Sequence, residues 1–166
     1  VAAAGFLVLP PLRLTALGTA SALVDQVRRM VSPTYLVVRP SQVTASDELT
    51  DHPARLAFDS YTNTDWEARG GQPTLTLAFP QPLQLGAIIV HAGSADHFAD
   101  LRRPTRIQLA FPDGATVSFQ LSDRHDPQQF TFDAPTTSTV VVRILEAAGP
   151  ASAPLALSEI EFFARQ

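Results

Sequence analysis

The chain has no cysteine and no lysine. Without cysteine there are no disulfides and no thiolate metal sites, and the redox compartment stays open. All twelve basic residues are Arg, which reads as the base-composition bias of a GC-rich bacterial genome. Basic charge is not in excess either. The formal charge is −4, so nucleic-acid binding has no electrostatic support. Long apolar runs are missing too. Val1 to Leu9 is nearly all apolar, but Pro10 and Pro11 follow it, and a bilayer span needs about 20 such residues. The basic start of a signal peptide is lacking as well. No Gly-x-Ser-x-Gly elbow, phosphate loop or His-Glu-x-x-His stands in the chain. The sequence therefore predicts a protein that is not an enzyme.

What is present suits one domain with something added. Apolar residues make up 45% of the chain, enough to bury a core. The added part is residues 1–33. Leu17, Ala20, Val24, Val27 and Val31 share one face of a helix expected from Leu12 to Val31, with Thr15 as cap and Pro33 as stop. A tail and helix packed on their own domain is one reading. The other is the outer end of a membrane anchor, with the helix docked on a membrane or a protein partner. A lone helix finds little core to join in an all-β domain, which favours the second.

From residue 34 onward the pattern is β. Tyr35 to Arg39 and Gln42 to Ala45 are short extended pieces. Thr74 to Phe79 alternates strictly, Pro80 and Pro82 bracket a turn, and Leu83 to Ala92 becomes continuously apolar. Thr105 to Phe111 and Ala115 to Leu121 flank an Asp-Gly turn, a strong hairpin signal. Gln128 to Phe132, Thr139 to Leu145 and Leu155 to Arg165 follow. In the last, Glu159 and Glu161 alternate with Ile160 and Phe162, which predicts the polar face of an outer strand. About eight short strands without intervening helices predict an antiparallel jelly-roll β-sandwich over 34–166.

The stretch Ala57 to Trp66 (AFDSYTNTDW) is dense in side-chain oxygens between two large apolar residues. Such a loop either closes on its own backbone or wraps a hard cation. This loop, the strands behind it and the ending Leu157 to Phe163 (LSEIEFF) resemble the discoidin family, also called the coagulation factor 5/8 C-terminal or galactose-binding-like domain. The resemblance covers roughly Val37 to Arg165. It implies an extracytoplasmic recognition module in a bacterial cell envelope. It also implies a structural calcium held by Asp59, Thr64 and Glu159, with no other cofactor. Two departures stand in that loop: Ser60 replaces the usual Gly, and Tyr61 replaces a common Asn or Asp.

In sugar-binding members of the family, end loops present His, Arg and an aromatic ring. Here the loop His91 to Pro104 offers His97, Phe98 and Arg102, and the loop Ser122 to Phe130 offers His125. Their plainer reading is loop anchors and solvated polar faces. His91 and His97 are six apart with no further His nearby, a spacing that does not build a zinc site. Two functions follow from these residues. One is a glycan-binding module for cell-wall or surface sugar. The other is an accessory subunit of a membrane-associated complex, with sandwich and helix as its protein-contact surface.

Overall fold

The computed structural model describes residues 34–166. The apolar segment and helix expected over 1–33 lie outside the described residues. Among the described residues nine strands follow one another: β1 Tyr35–Val38, β2 Gln42–Ala45, β3 Trp66–Ala68, β4 Thr74–Ala92, β5 Arg103–Ala110, β6 Thr116–Gln120, β7 Gln128–Thr131, β8 Thr136–Ala148 and β9 Leu155–Arg165. A short 3-10 helix, Ala54–Phe58, precedes the oxygen-rich loop. Eight of these strands match the sequence expectation closely enough to be recognised. The ninth, β3, is only three residues long and was hidden inside the loop region.

All pairings between these strands are antiparallel. One sheet places β1 and β3 along successive stretches of β9, then β4, then β7. The other runs β2, β4, β8, β5, β6. β4 belongs to both. Its first part, Thr74 to Ala78, pairs with β2 and β8, while Leu85 to Ala92 pairs with β9. The sequence predicts two strands separated by a turn here. The structure has one strand whose register shifts between Ala78 and Leu83. Pro80 and Pro82 cause the shift, because each lacks an N–H for the ladder. Both are exposed, so the bend leaves no buried polar group.

Alternation decides the core. Leu75, Leu77 and Phe79 of β4, Ile107 and Leu109 of β5, and Val140, Val142 and Ile144 of β8 turn inward from one sheet. Ile88, Val90, Leu157, Ile160 and Phe162 meet them from the other. Phe162 is stacked on Phe58 at 6.3 Å and meets Phe79 edge-on at 5.8 Å. β9 is not the outer strand with a polar face that its Glu residues predict. It is flanked on both edges and buried from Leu155 to Ala164. Glu159 and Glu161 are therefore buried with it, at 3% and 7% exposure.

Phe162 lies at the centre of this packing with no exposure. Phe162→Ala removes the ring from both aromatic contacts and leaves a cavity, and is expected to cost about 3–5 kcal/mol. Urea unfolding checks this: the midpoint falls while the slope is retained. A loss below about 1 kcal/mol would mean that the two sheets do not share this core.

Candidate functional site

The site is built outward from Trp66. This side chain is fully buried, and its indole N–H donates to the Asp47 carbonyl at 3.1 Å. Because side chains alternate along a strand, seating Trp66 inward turns its neighbours Asp65 and Glu67 to the opposite side. There His52 meets them. Its Nδ1 lies 2.7 Å from Asp65 Oδ1 and 3.4 Å from Glu67 Oε1. Asp65 and Glu67 are buried, while His52 is half-buried. Burial alone would lower the His52 pKa. The charge on Glu67 and the hydrogen bond with Asp65 outweigh it and raise the pKa. Burial also pushes the Glu67 carboxyl up, opposed by His52 and reinforced by Asp65. This His/Asp/Glu cluster has the donor atoms to coordinate a metal ion.

Asp65 and His52 line an open cavity of about 240 Å³. Ser94, Asp96 and His97 of the β4–β5 loop form its other wall. The His97 side chain is 67% exposed. Among the expected glycan ligands, His97 thus stands in this cavity, facing the cluster around His52.

The other three expected ligands have different surroundings. Phe98 is half-buried. It lies against Gly93, where a Cβ would come within 2.8 Å of the ring, and Gly93 has a positive φ of 78° that suits glycine. The Arg103 guanidinium covers the same ring at 4.5 Å from its centroid. His125 meets Phe98 edge-on at 6.2 Å and hydrogen-bonds the Ala92 carbonyl at 3.0 Å. Phe98 and His125 are therefore brought together. Arg102 is not with them: its Nε donates to Ala153 O at 2.7 Å, and its Nη2 donates to Gly70 O at 3.1 Å. It clamps three loop segments together.

Arg103 organises the loop more than its sequence position suggests. It pairs through Nε and Nη2 with both carboxylate oxygens of Asp123 and donates from Nη1 to the Phe98 and Leu101 carbonyls. That pairing raises the Arg103 pKa and lowers the Asp123 carboxyl. Behind the loop, His91 is buried 5.8 Å from His125. Burial, with repulsion from His125, lowers its pKa to about 4, so it is neutral at physiological pH.

The oxygen-rich loop closes on itself. Asp59 Oδ2 accepts from the Thr64 hydroxyl at 2.9 Å, and Asp59 Oδ1 accepts from Tyr61 N at 2.9 Å. Ser60 takes a positive φ of 71°, a conformation that favours glycine. Its N–H donates to Glu159 Oε2 at 3.0 Å. Asp59 thus holds Thr64 within the loop, while the neighbouring Ser60 ties the loop to Glu159 of β9. Burial, with the charges of Glu161 and Asp59, raises the Glu159 pKa to about 9 against the pull of the Ser60 N–H. A crevice of about 10 Å³ beside Ser60 and Glu159 has room for one water-sized body.

Sequence reasoning missed the cluster of His52, Asp65 and Glu67. The available signal was a pair of carboxylates at i and i+2 flanking a Trp, which a strand places on one side. Nothing in the sequence brings His52 to them.

A raised carboxyl pKa makes stability fall as pH rises, because the folded state holds a proton that the unfolded state releases. For Glu159 the window runs from its ordinary value of 4.5 to about 9. In chelator-treated buffer the unfolding free energy should therefore fall across that window, at up to about 1.4 kcal/mol per pH unit. Glu159→Gln should flatten the fall. Equal slopes for the two proteins in denaturant titrations would contradict the assignment.

No family profile and no curated protein matches the chain. Solved structures do. The family 32 carbohydrate-binding module of Clostridium perfringens NanJ, solved with galactose, is 15% identical, with a TM-score of 0.63 over 78% of this chain and 98% of that one. CpGH89CBM32-5 from the same organism, solved with GalNAc-β-1,3-galactose, is 18% identical, with a TM-score of 0.60 over 74% and 94%. The lectin domain of Lectinolysin, solved with Lewis b antigen, is 16% identical, with a TM-score of 0.55 over 77% and 94%. By this likeness the chain shares the β-sandwich fold of these carbohydrate-binding modules.

Proposed function

We propose that the chain is a non-catalytic carbohydrate-recognition module of a bacterial cell envelope, built on the galactose-binding-like jelly roll. The observation that carries this reading is the open cavity at His97. Its lining includes His97, Ser94, Asp96 and Asn63 around a space of about 240 Å³. Sugar recognition needs such a small set of placed donors and acceptors. Two neighbours of like fold were solved with galactose and with GalNAc-β-1,3-galactose, which makes a galactose-type sugar the ligand class to try first. His97 is the direct hydrogen-bonding residue in this reading. Phe98, covered by Arg103, and His125 at its edge brace the loop behind His97, and Arg102 ties that loop to its neighbours.

Calcium belongs to the same proposal. The oxygen donors Asp59, Thr64 and Glu159 suit a hard cation in chemical type. An ion there would stabilise the charged form of Glu159 against the burial and repulsion that raise its pKa. Its role would be to hold the loop, with no part in sugar chemistry. If calcium binds there, adding it removes the pH-dependent loss of stability assigned to Glu159. An unchanged slope at saturating calcium would count against these ligands.

Glycan-array screening followed by calorimetry tests the main reading. Galactose-terminated glycans are expected to bind, and His97→Ala should weaken them by about tenfold, equivalent to about 1.4 kcal/mol. Absence of binding to every glycan, by a protein shown to be folded, would overturn it.

A further inference from the structure

We propose that His52, Asp65 and Glu67 form a binding site for a divalent transition-metal ion, with zinc the ion best matched to their chemistry. The site is separate from the oxygen-only set at Asp59, Thr64 and Glu159, and it does not depend on glycan binding.

Geometry carries the proposal. One ligand atom from each of the three residues lies within 4.8 Å of the others. Zinc binds His nitrogen and carboxylate oxygen at about 2.0–2.2 Å, so a tetrahedral ion spaces its ligand atoms about 3.4 Å apart. The His52 to Glu67 distance is 3.4 Å and the His52 to Asp65 distance is 2.7 Å. Small side-chain rotations would admit the ion, which takes the place of the proton between His52 and Asp65.

The backbone under these ligands is fixed on both sides. Glu67 N donates to His52 O at 3.1 Å, and Leu49 N donates to Glu67 O at 2.9 Å. On its other edge, β3 pairs Trp66 with Leu157 and Glu67 with Ala156 of β9. Ligands on a framework held this way need little reorganisation on binding. Charge points the same way. Two buried carboxylates, Asp65 and Glu67, face a single imidazole and, when ionised, concentrate negative charge there. A dication beside a neutral imidazole balances it.

The donor set also selects the metal. One imidazole with two carboxylates suits zinc and its neighbours, whereas calcium takes oxygen ligands. Asp65 and His52 border the open cavity, which leaves a coordination position facing solvent. Zinc sites with three protein ligands keep a fourth position open in this way.

Titration calorimetry of the chelator-stripped full chain with zinc chloride tests the proposal. One equivalent should bind. His52→Ala and the isosteric Glu67→Gln should each weaken binding by more than about tenfold, with circular dichroism confirming that both variants fold. Cobalt(II) should give the visible absorption of a tetrahedral site in the wild-type protein and lose it in His52→Ala. The proposal fails if neither metal binds the wild-type protein. It also fails if both variants bind as the wild type does, or if calcium displaces zinc at equal concentration.

Discussion

Every strand of the sandwich hangs on β4, directly or through its neighbours. In one sheet it pairs with β2 and β8, and in the other with β9 and β7. A single strand can serve both sheets only if it turns between them without burying a broken ladder. Pro80 and Pro82 meet that condition, because they have no N–H to leave unpaired and they lie exposed at the bend. Once β4 is placed, β9 is trapped between it and the edge strands β1 and β3. The two Glu residues of β9 must then be buried.

That burial shapes the chemistry at the loop end. Glu159 answers the oxygen-rich loop through the Ser60 N–H, and Trp66 is seated beside β9 through the pairing of β3. Seating Trp66 turns Asp65 and Glu67 toward His52 and the cavity. The β4–β5 loop closes the other wall, held by the Arg103 bridge to Asp123 and by Arg102 across to Gly70 and Ala153. Polar side chains from several loops are thereby gathered at one open cavity.

Much of the fold was legible because alternation is a local signal. Leu75, Leu77 and Phe79 announce an inward face, and Asp113-Gly114 announces a turn. Two features were not legible, because they depend on pairings made far along the chain. Pro80 and Pro82 look like a turn until β8 and β9 are seen to hold the two halves of one strand. Glu159 and Glu161 look like an exposed face until strands are found on both edges of β9. The site divided along the same line. In the loop that the family resemblance singles out, Asp59 bonds Thr64 and Ser60 bonds Glu159, and Phe98 meets His125. Arg102 is occupied by backbone carbonyls, and His52 reaches Asp65 and Glu67 only through the backbone pairing of residues 49–52 with β3.

The central claim is that the cavity at His97 is where a sugar is recognised. Amide chemical-shift mapping by NMR during titration with galactose tests it most directly. The account predicts saturable shifts concentrated in Ser94 to Asp100 and in the facing residues around Asn63 to Asp65, with the β8 and β6 backbone unmoved. Shifts centred elsewhere on the sandwich would contradict it, as would a spectrum unchanged by galactose and by galactose-terminated oligosaccharides alike.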